Sequence, residues 1–191
     1  MKTICTSCGK ATLSPVIKSR PFLIIKEAVT ENDLTDDMVF TLSGKNKYGK
    51  EAYTSAYYFN RELGLVGLGL NNFSLSALYL HHPPSRKKTK DERAVILGCV
   101  DYSVAQVMAL VRETDAKIIL LMGAEIVKTF TGYNCTDVYG LTVQSDLLPS
   151  VPVIVPAPNP DKIMNQPIGE LRNVLKVFAE QIKIYNEYSK V

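Results

Sequence analysis

The sequence predicts a single α/β domain built around a parallel sheet, and three observations carry that prediction. Short apolar segments with strand character alternate with longer segments of helical periodicity. That alternation is typical of βαβ units, in which a helix connects two parallel strands. The 191 residues suit one domain, and no linker, internal repeat or low-complexity segment divides residues 1–191.

Four apolar segments are predicted to lie in the sheet. They are residues 21–26, 77–80, 116–122 and 151–155. Pro152 favours the start of a strand or an edge position, because proline cannot donate to the ladder. Ligands of parallel sheets bind beyond the carboxyl ends of the strands. We therefore expect the loops that follow these four segments, after Lys26, Leu80, Met122 and Val155, to gather at one edge.

Apolar residues at three- and four-residue spacing predict the helices. The clearest helix covers 97–111, and another is expected over 124–130. A helix is also predicted over about 51–63, whereas the polar segment 27–50 is expected to form a long loop. The last helix should have Pro167 in or near its first turn. Its apolar stripe consists of Ile168, Leu171, Val174, Leu175, Phe178 and Ile182.

The composition excludes several classes of protein. Hydrophobic residues make up 46% and charged residues 21%, so a packed core is expected rather than disorder. No apolar run approaches the roughly 18 residues that a membrane-spanning helix needs. The N-terminus lacks the apolar core of a secretory signal, and we expect a cytoplasmic location. In a reducing compartment, four cysteines are more often metal ligands or plain thiols than disulfides.

The basic residues are clustered. The net charge is only +3, yet residues 85–90 contain Arg86, Lys87, Lys88 and Lys90. Such a cluster either binds DNA phosphates or forms a solvated surface loop. A protein that mimics DNA would be acidic, and the positive net charge argues against that role.

Several short segments, in this order, resemble one family. They are Cys5-Thr6-Ser7-Cys8, Ile25-Lys26-Glu27-Ala28-Val29, Leu80-His81-His82-Pro83-Pro84, Cys99 within the next helix, Leu121-Met122-Gly123-Ala124, and the strand from Val151 that leads to Asn159-Pro160. Their order and spacing along nearly the whole chain resemble the iron–sulfur uracil-DNA glycosylases, known as family 4. The resemblance implies a three-layer α/β/α sandwich with a central four-stranded, mainly parallel sheet. It also implies hydrolysis of the N-glycosidic bond to a uracil flipped out of DNA.

The same resemblance implies a [4Fe–4S] cluster. Cys5, Cys8 and Cys99 fall at cluster-ligand positions, and His81 or His82 would supply the fourth ligand. Imidazole can replace thiolate on iron, and a set of three cysteines and one histidine equally suits structural zinc. The alternative is that these are ordinary thiols.

The family's catalytic and base-binding positions are only partly matched here. Glu27 corresponds to its first acid, Asp33 to a second acid, and Asn159 to the histidine that supports the leaving base. Phe40 is a candidate for stacking on the flipped base. Ala77 stands where an asparagine would recognise the base, and alanine has no polar group for that purpose.

DNA contacts are expected at two places. Ile163 and Met164 follow Pro160, where the family inserts an apolar wedge into the duplex, although both can instead pack on the last helix. The second place is the basic cluster of residues 85–90.

These observations leave two candidate functions. The chain is either a divergent DNA glycosylase, or a catalytically inactive glycosylase-fold protein that binds DNA or a replication or repair protein.

Overall fold

A computed structural model describes residues 4–45, 48–81, 90–160 and 168–189, with the backbone alone for 90–97. Six strands and five α-helices follow one another in these residues. They are β1 (Phe22–Ala28), α1 (Glu31–Asp36), β2 (Ser43–Lys45), β3 (Glu51–Tyr53), α2 (Ser55–Gly64), β4 (Ser74–Tyr79), α3 (Lys90–Glu113), β5 (Ile118–Met122), α4 (Ala124–Thr131), β6 (Val153–Ala157) and α5 (Ile168–Tyr188).

Four of the strands form one parallel sheet, in the order β4-β1-β5-β6. Lys26 near the end of β1 pairs with Ala77 of β4 on one side and with Met122 of β5 on the other. Met122 in turn pairs with Ala157, the last residue of β6. All four strands therefore end at the same edge, which confirms the predicted parallel sheet and the gathering of its loops. We call this the carboxyl edge of the sheet.

Helices cover both faces of the sheet. Successive side chains of a strand point to opposite faces, so each strand contributes to two core clusters. Phe22 and Ile24 belong to a core cluster that also contains residues of α2 and α5. Leu23 and Ile25 belong to a second cluster, with residues of α3 and α4. Burying each such side chain contributes about 2 kcal/mol to the folded state. The fold is thus a three-layer α/β/α arrangement, as expected.

The polar segment 27–50 differs from the prediction, because it contains α1 and β2 as well as loop. β2 pairs with β3 in an antiparallel hairpin, in which Lys45 lies opposite Glu51. The helix predicted from residue 51 accordingly begins at Ser55, where the hydroxyl of Thr54 accepts a hydrogen bond from the Tyr57 amide. Pairing between strands is a non-local contact, and helical periodicity does not reveal it.

β4 begins three residues earlier than the apolar segment suggested. Its first residues include Ser74 and Ser76, which are buried although they are polar. The hydroxyl of Ser74 accepts a hydrogen bond from the amide of Lys18, at 2.9 Å. This bond offsets the cost of removing the hydroxyl from water, so the strand starts at polar residues.

The other predicted elements occur near their expected positions. The last helix begins at Ile168, and five of its six stripe residues are buried, whereas Ile168 itself is half-buried. Pro167 lies outside the described residues. Among the residues described, no helix is both long enough and apolar enough to cross a lipid bilayer.

Candidate metal centre and sheet-edge site

The two N-terminal cysteines lie on one tight turn. The amide of Cys5 donates to the carbonyl of Lys10 at 2.9 Å, and the amide of Gly9 donates to the carbonyl of Cys5 at 2.8 Å. This closed turn keeps the side chains of Cys5 and Cys8 near each other. Cys5 is fully buried and Cys8 is half-buried, so one thiol faces the protein interior and the other lies nearer the surface.

Helix α3 brings Cys99 to this turn. Gly98 precedes it, and a Cβ atom at residue 98 would lie only 2.6 Å from the hydroxyl oxygen of Ser7. A side chain there would push the cysteine turn away from the helix. The absence of one allows the Sγ atoms of Cys5 and Cys99 to approach to 3.8 Å.

His81 completes the group from the loop that follows β4. Its ring is buried and lies edge-on to the ring of Tyr79, with centroids 6.4 Å apart. The N-terminal segment is held beside this loop, because the amide of Leu13 donates to the carbonyl of Leu80 at 2.7 Å. Ligand atoms of Cys5, Cys8, His81 and Cys99, one from each residue, all lie within 4.8 Å of one another.

The donor chemistry of these four residues, which we call the metal centre, fits a thiophilic metal. Three sulfurs and one imidazole nitrogen form a set that binds zinc or iron. Burial acts to raise the pKa of Cys5, but hydrogen bonds from Cys8 and Ser7 outweigh it and lower that pKa. Burial and the neighbouring thiols raise the pKa of Cys99 to about 12. The four residues can therefore hold a metal ion, and His82 lies outside the described residues.

Glu27 lies at the carboxyl edge and is half-buried. Its Oε2 atom accepts a hydrogen bond from the amide of Glu125 at 3.0 Å, at the start of α4. Gly123 precedes that helix with φ of +124°, and a Cβ there would meet the Glu27 carboxylate at 2.5 Å. The carboxylate thus accepts from one of the amides in the first turn of α4, and the amides of a first turn have no carbonyl partner within their own helix.

Asp33 is buried and fully engaged by donors. Its carboxylate accepts hydrogen bonds from the Lys26 ammonium at 2.5 Å, the Thr30 amide at 2.7 Å and the Thr41 amide at 2.9 Å. Lys26 is itself buried, so the two charges form an internal ion pair. This pair fixes the loop after β1 and the start of α1.

The candidate base-binding residues lie in the core. Phe40 is buried against Phe59, and the Lys26 ammonium lies 4.9 Å from the centroid of its ring. Ala77 is buried within β4, next to Lys26 in the sheet. Asn159 is half-buried and follows the end of β6 by two residues, so it lies at the carboxyl edge with Glu27.

Three residues at this edge, Tyr79, Glu125 and Tyr139, were not predicted from the sequence. The hydroxyl of Tyr79 donates to the carboxylate of Glu125 at 2.6 Å, which ties β4 to α4 beside Glu27. Burial, with a smaller contribution from Cys135, raises the pKa of Tyr139 near the same edge. An acid in the first turn of a helix that follows a parallel strand is the signal that could have identified Glu125.

The predicted DNA contacts are not part of the described structure. Five of these residues lie outside the described residues, as does the side chain of Lys90: Arg86, Lys87, Lys88, Ile163 and Met164.

Comparisons with family models and with curated protein sequences found no match to this chain.

Proposed function

We propose that this chain is a DNA-binding protein of the uracil-DNA glycosylase superfamily, stabilised by a metal ion, in which the scaffold serves binding rather than base excision. One observation carries the proposal. Cysteines 94 positions apart meet His81 beside a four-stranded parallel sheet. The family resemblance implied both the group of cysteines with a histidine and the four-stranded parallel sheet. The first feature does not follow from the second, so each supports the proposal separately.

The spacing of the sulfurs favours a single tetrahedral ion over a cluster. Zinc–sulfur bonds of about 2.3 Å in a tetrahedron hold sulfurs about 3.8 Å apart. The Sγ atoms of Cys5 and Cys99 have this separation. A [4Fe–4S] cluster would hold its ligands farther apart, because four iron and four sulfide ions occupy the space between them. Structural zinc is therefore the metal we propose, and a cytoplasmic location would keep the thiols reduced.

Metal analysis of anaerobically purified protein tests this assignment. We expect about one zinc per chain and no broad visible absorption band. Four irons per chain with a band near roughly 400 nm, where iron–sulfur charge transfer falls, would instead establish the cluster that the family resemblance implies.

The environments of the acids support a non-catalytic role. Glu27 accepts from an amide of α4, and Asp33 is enclosed by an ammonium group and two amides. A general base must be able to reach a water beside the substrate. A buried Asp33 cannot do so without breaking its ion pair with Lys26. Phe40 would likewise have to part from the Lys26 ammonium before a base could stack there.

A divergent glycosylase is the second candidate function, and the position of Glu27 favours it. This carboxylate is half-buried at the carboxyl edge, where α/β sheets bind ligands. In that case Glu27 would orient a water and accept its proton as the water attacks the sugar carbon and the bond from that carbon to the base breaks; Glu27 would then release the proton to solvent. Asn159 would donate a hydrogen bond to the departing base, which takes up a proton from solvent. Asp33 would hold the loop in place.

Two assays on the same preparation separate these functions. Fluorescence anisotropy with labelled single-stranded and duplex DNA measures binding at two salt concentrations. Alkali cleavage after incubation with DNA that contains uracil or hypoxanthine measures excision. We expect binding that weakens with salt and no excision. Excision by the wild type that Glu27→Gln abolishes would establish the glycosylase.

The alternative partner is a replication or repair protein. Absence of DNA binding at low salt would overturn the proposed function. A defined complex with a purified replication or repair protein of the same host, seen by size-exclusion chromatography, would then support the alternative.

A further inference from the structure

Three tyrosines form a continuous aromatic surface on the β2–β3 hairpin and α2. The rings of Tyr53 and Tyr57 stack, with centroids 3.9 Å apart and planes inclined by 15°. The ring of Tyr57 then meets that of Tyr58 edge-on at 5.5 Å. We call these three residues the tyrosine platform. Tyr53 is 62% exposed, so one face of the stack is open to solvent.

The local structure explains why the rings meet. Tyr53 ends β3, opposite Ser43 of β2, and Thr54 caps the helix that follows directly. Tyr57 lies in the first turn of α2, close to the strand end that carries Tyr53. The platform is therefore held by a paired hairpin at one end and by a capped helix at the other, and its rings are in contact without a partner.

The hairpin and the helix that carry the platform also carry cationic side chains. Lys45 and Lys50 are exposed on the two sides of the hairpin loop. The guanidinium of Arg61 lies 5.4 Å from the centroid of the Tyr58 ring, and its side chain is 53% exposed. Arg61 also pairs with Glu62, which is buried beneath it. Cations next to stacked aromatic rings are the usual composition of a surface that binds unpaired nucleotides.

Acidic residues limit where a nucleic-acid backbone can run. A groove of about 490 Å³ beside β2 is lined by residues that include Glu31, Asp36 and Glu51. These carboxylates repel phosphate. A bound strand is therefore expected to pass along Arg61, beside the Tyr58 ring, rather than through the groove.

We propose that the tyrosine platform binds single-stranded DNA, with an unpaired base stacked on the open face of Tyr53. The inference rests on the proposed DNA-binding function and names the form of DNA and the surface that holds it. Bases within a duplex are already stacked on one another and offer no free face. Unpaired bases of any sequence can stack on an aromatic ring, so binding should depend little on sequence.

The test measures the affinity of the full-length, metal-loaded chain for a labelled oligothymidine strand by anisotropy. Removing a stacking ring weakens binding by about tenfold per base. We expect that loss for Tyr53→Ala, and near-wild-type affinity for Tyr53→Phe, which keeps the ring. Tyr133→Ala is the matched control, because Tyr133 is 54% exposed and follows α4 on the other face of the sheet. Circular dichroism checks that each variant is folded.

The outcomes separate this inference from the proposed function. If the wild type binds neither single-stranded nor duplex DNA, the proposed function fails, and the platform proposal fails with it. If the wild type binds DNA and Tyr53→Ala binds equally well, only the platform proposal is overturned. Equal losses for Tyr53→Ala and Tyr133→Ala, or a wild-type preference for duplex DNA, would also overturn it.

Discussion

The Sγ atoms of Cys5 and Cys99 lie 3.8 Å apart, although 94 positions separate the two residues along the chain. This contact joins the N-terminal turn to α3, and His81 joins the same group from the loop after β4. A metal bound there would connect these three segments within the core.

Replacing Cys99 by serine should remove the metal and destabilise the fold. A metal present at about 1,000 times its dissociation constant stabilises the folded state by about 4 kcal/mol. For a chain of this size that corresponds to a decrease in Tm of about 10 °C. Metal analysis and thermal unfolding provide the measurement. Cys135→Ser is the control, because that thiol donates to the carbonyl of Ala157 at 3.4 Å, away from the metal centre. Equal metal loss in both variants would contradict the assignment.

Lys26 and Asp33 form a buried ion pair, and removing Asp33 should destabilise the protein more than removing Lys26. Asp33→Ala leaves the Lys26 ammonium buried without a countercharge, which costs about 3–5 kcal/mol. It also removes the acceptor for the amides of Thr30 and Thr41. Lys26→Met leaves the carboxylate with both amide donors and should cost at least about 1 kcal/mol less. Urea unfolding of the two variants measures the difference, and equal losses would argue against this role for Asp33.

Gly123→Ala should disturb the start of α4. The residue has φ of +124°, and the new methyl group would meet the Glu27 carboxylate at 2.5 Å. We expect a loss of about 1–3 kcal/mol in the free energy of unfolding. Gly64→Ala is the matched control, because a Cβ at residue 64 of α2 meets nothing within 4 Å. That change should stabilise the protein by about 0.5–1 kcal/mol, since alanine favours the helix. A loss of similar size in both variants would exclude the clash with Glu27 as the cause.

The bond between Glu62 and Arg172 should make stability depend on pH. Arg172 donates to the buried Glu62 carboxylate at 2.6 Å and, together with Arg61, lowers the pKa of that carboxyl group below its usual value. A lowered pKa stabilises the fold above the unfolded value of about 4.3. That contribution is lost as the pH falls further, through the pKa of the folded state.

Urea unfolding at several pH values tests this dependence. Arg172→Gln should be less stable than the wild type at pH 7, and the difference should shrink at pH 3. The control, Arg112→Gln, changes an exposed arginine in the last turn of α3 and should show little loss at either pH. A difference between Arg172→Gln and wild type that is the same at both pH values would show that the bond is not the cause.

Much of the metal centre was expected from the sequence, because the resemblance to the iron–sulfur family implies its ligands. Cys5 and Cys8 form a CxxC pair, and Cys99 lies in a helix with clear periodicity. The structure brings these three together with His81, one of the two histidines proposed as the fourth ligand. The local roles of Glu27 and Asp33 were not predictable in this way. An acid in a loop has the same sequence appearance whether it binds water, caps a helix or pairs with a buried lysine.

The tyrosine platform also could not be predicted from the sequence. The sequence contains ten tyrosines, and nothing in it indicates which of them would stack on a base. The direct passage from β3 into α2 placed Tyr53 against Tyr57, and the β2–β3 pairing holds the strand end that carries Tyr53. That pairing depends on residues of the segment 27–50, where periodicity predicted only a loop.

The class of fold follows from the sequence, because alternating apolar strands and amphipathic helices can bury their surfaces together only in a layered α/β arrangement. The resemblance to the iron–sulfur family also implied the metal ligands, three cysteines with His81 or His82. Tertiary structure alone decided which acids are engaged by neighbouring donors, that Lys26 faces Phe40, and which tyrosines share a surface. The physical reason is that local periodicity records how a segment buries its own apolar face. Ion pairs, caps and ring stacks depend instead on the path of the backbone between the partners and on the segments that pack around them.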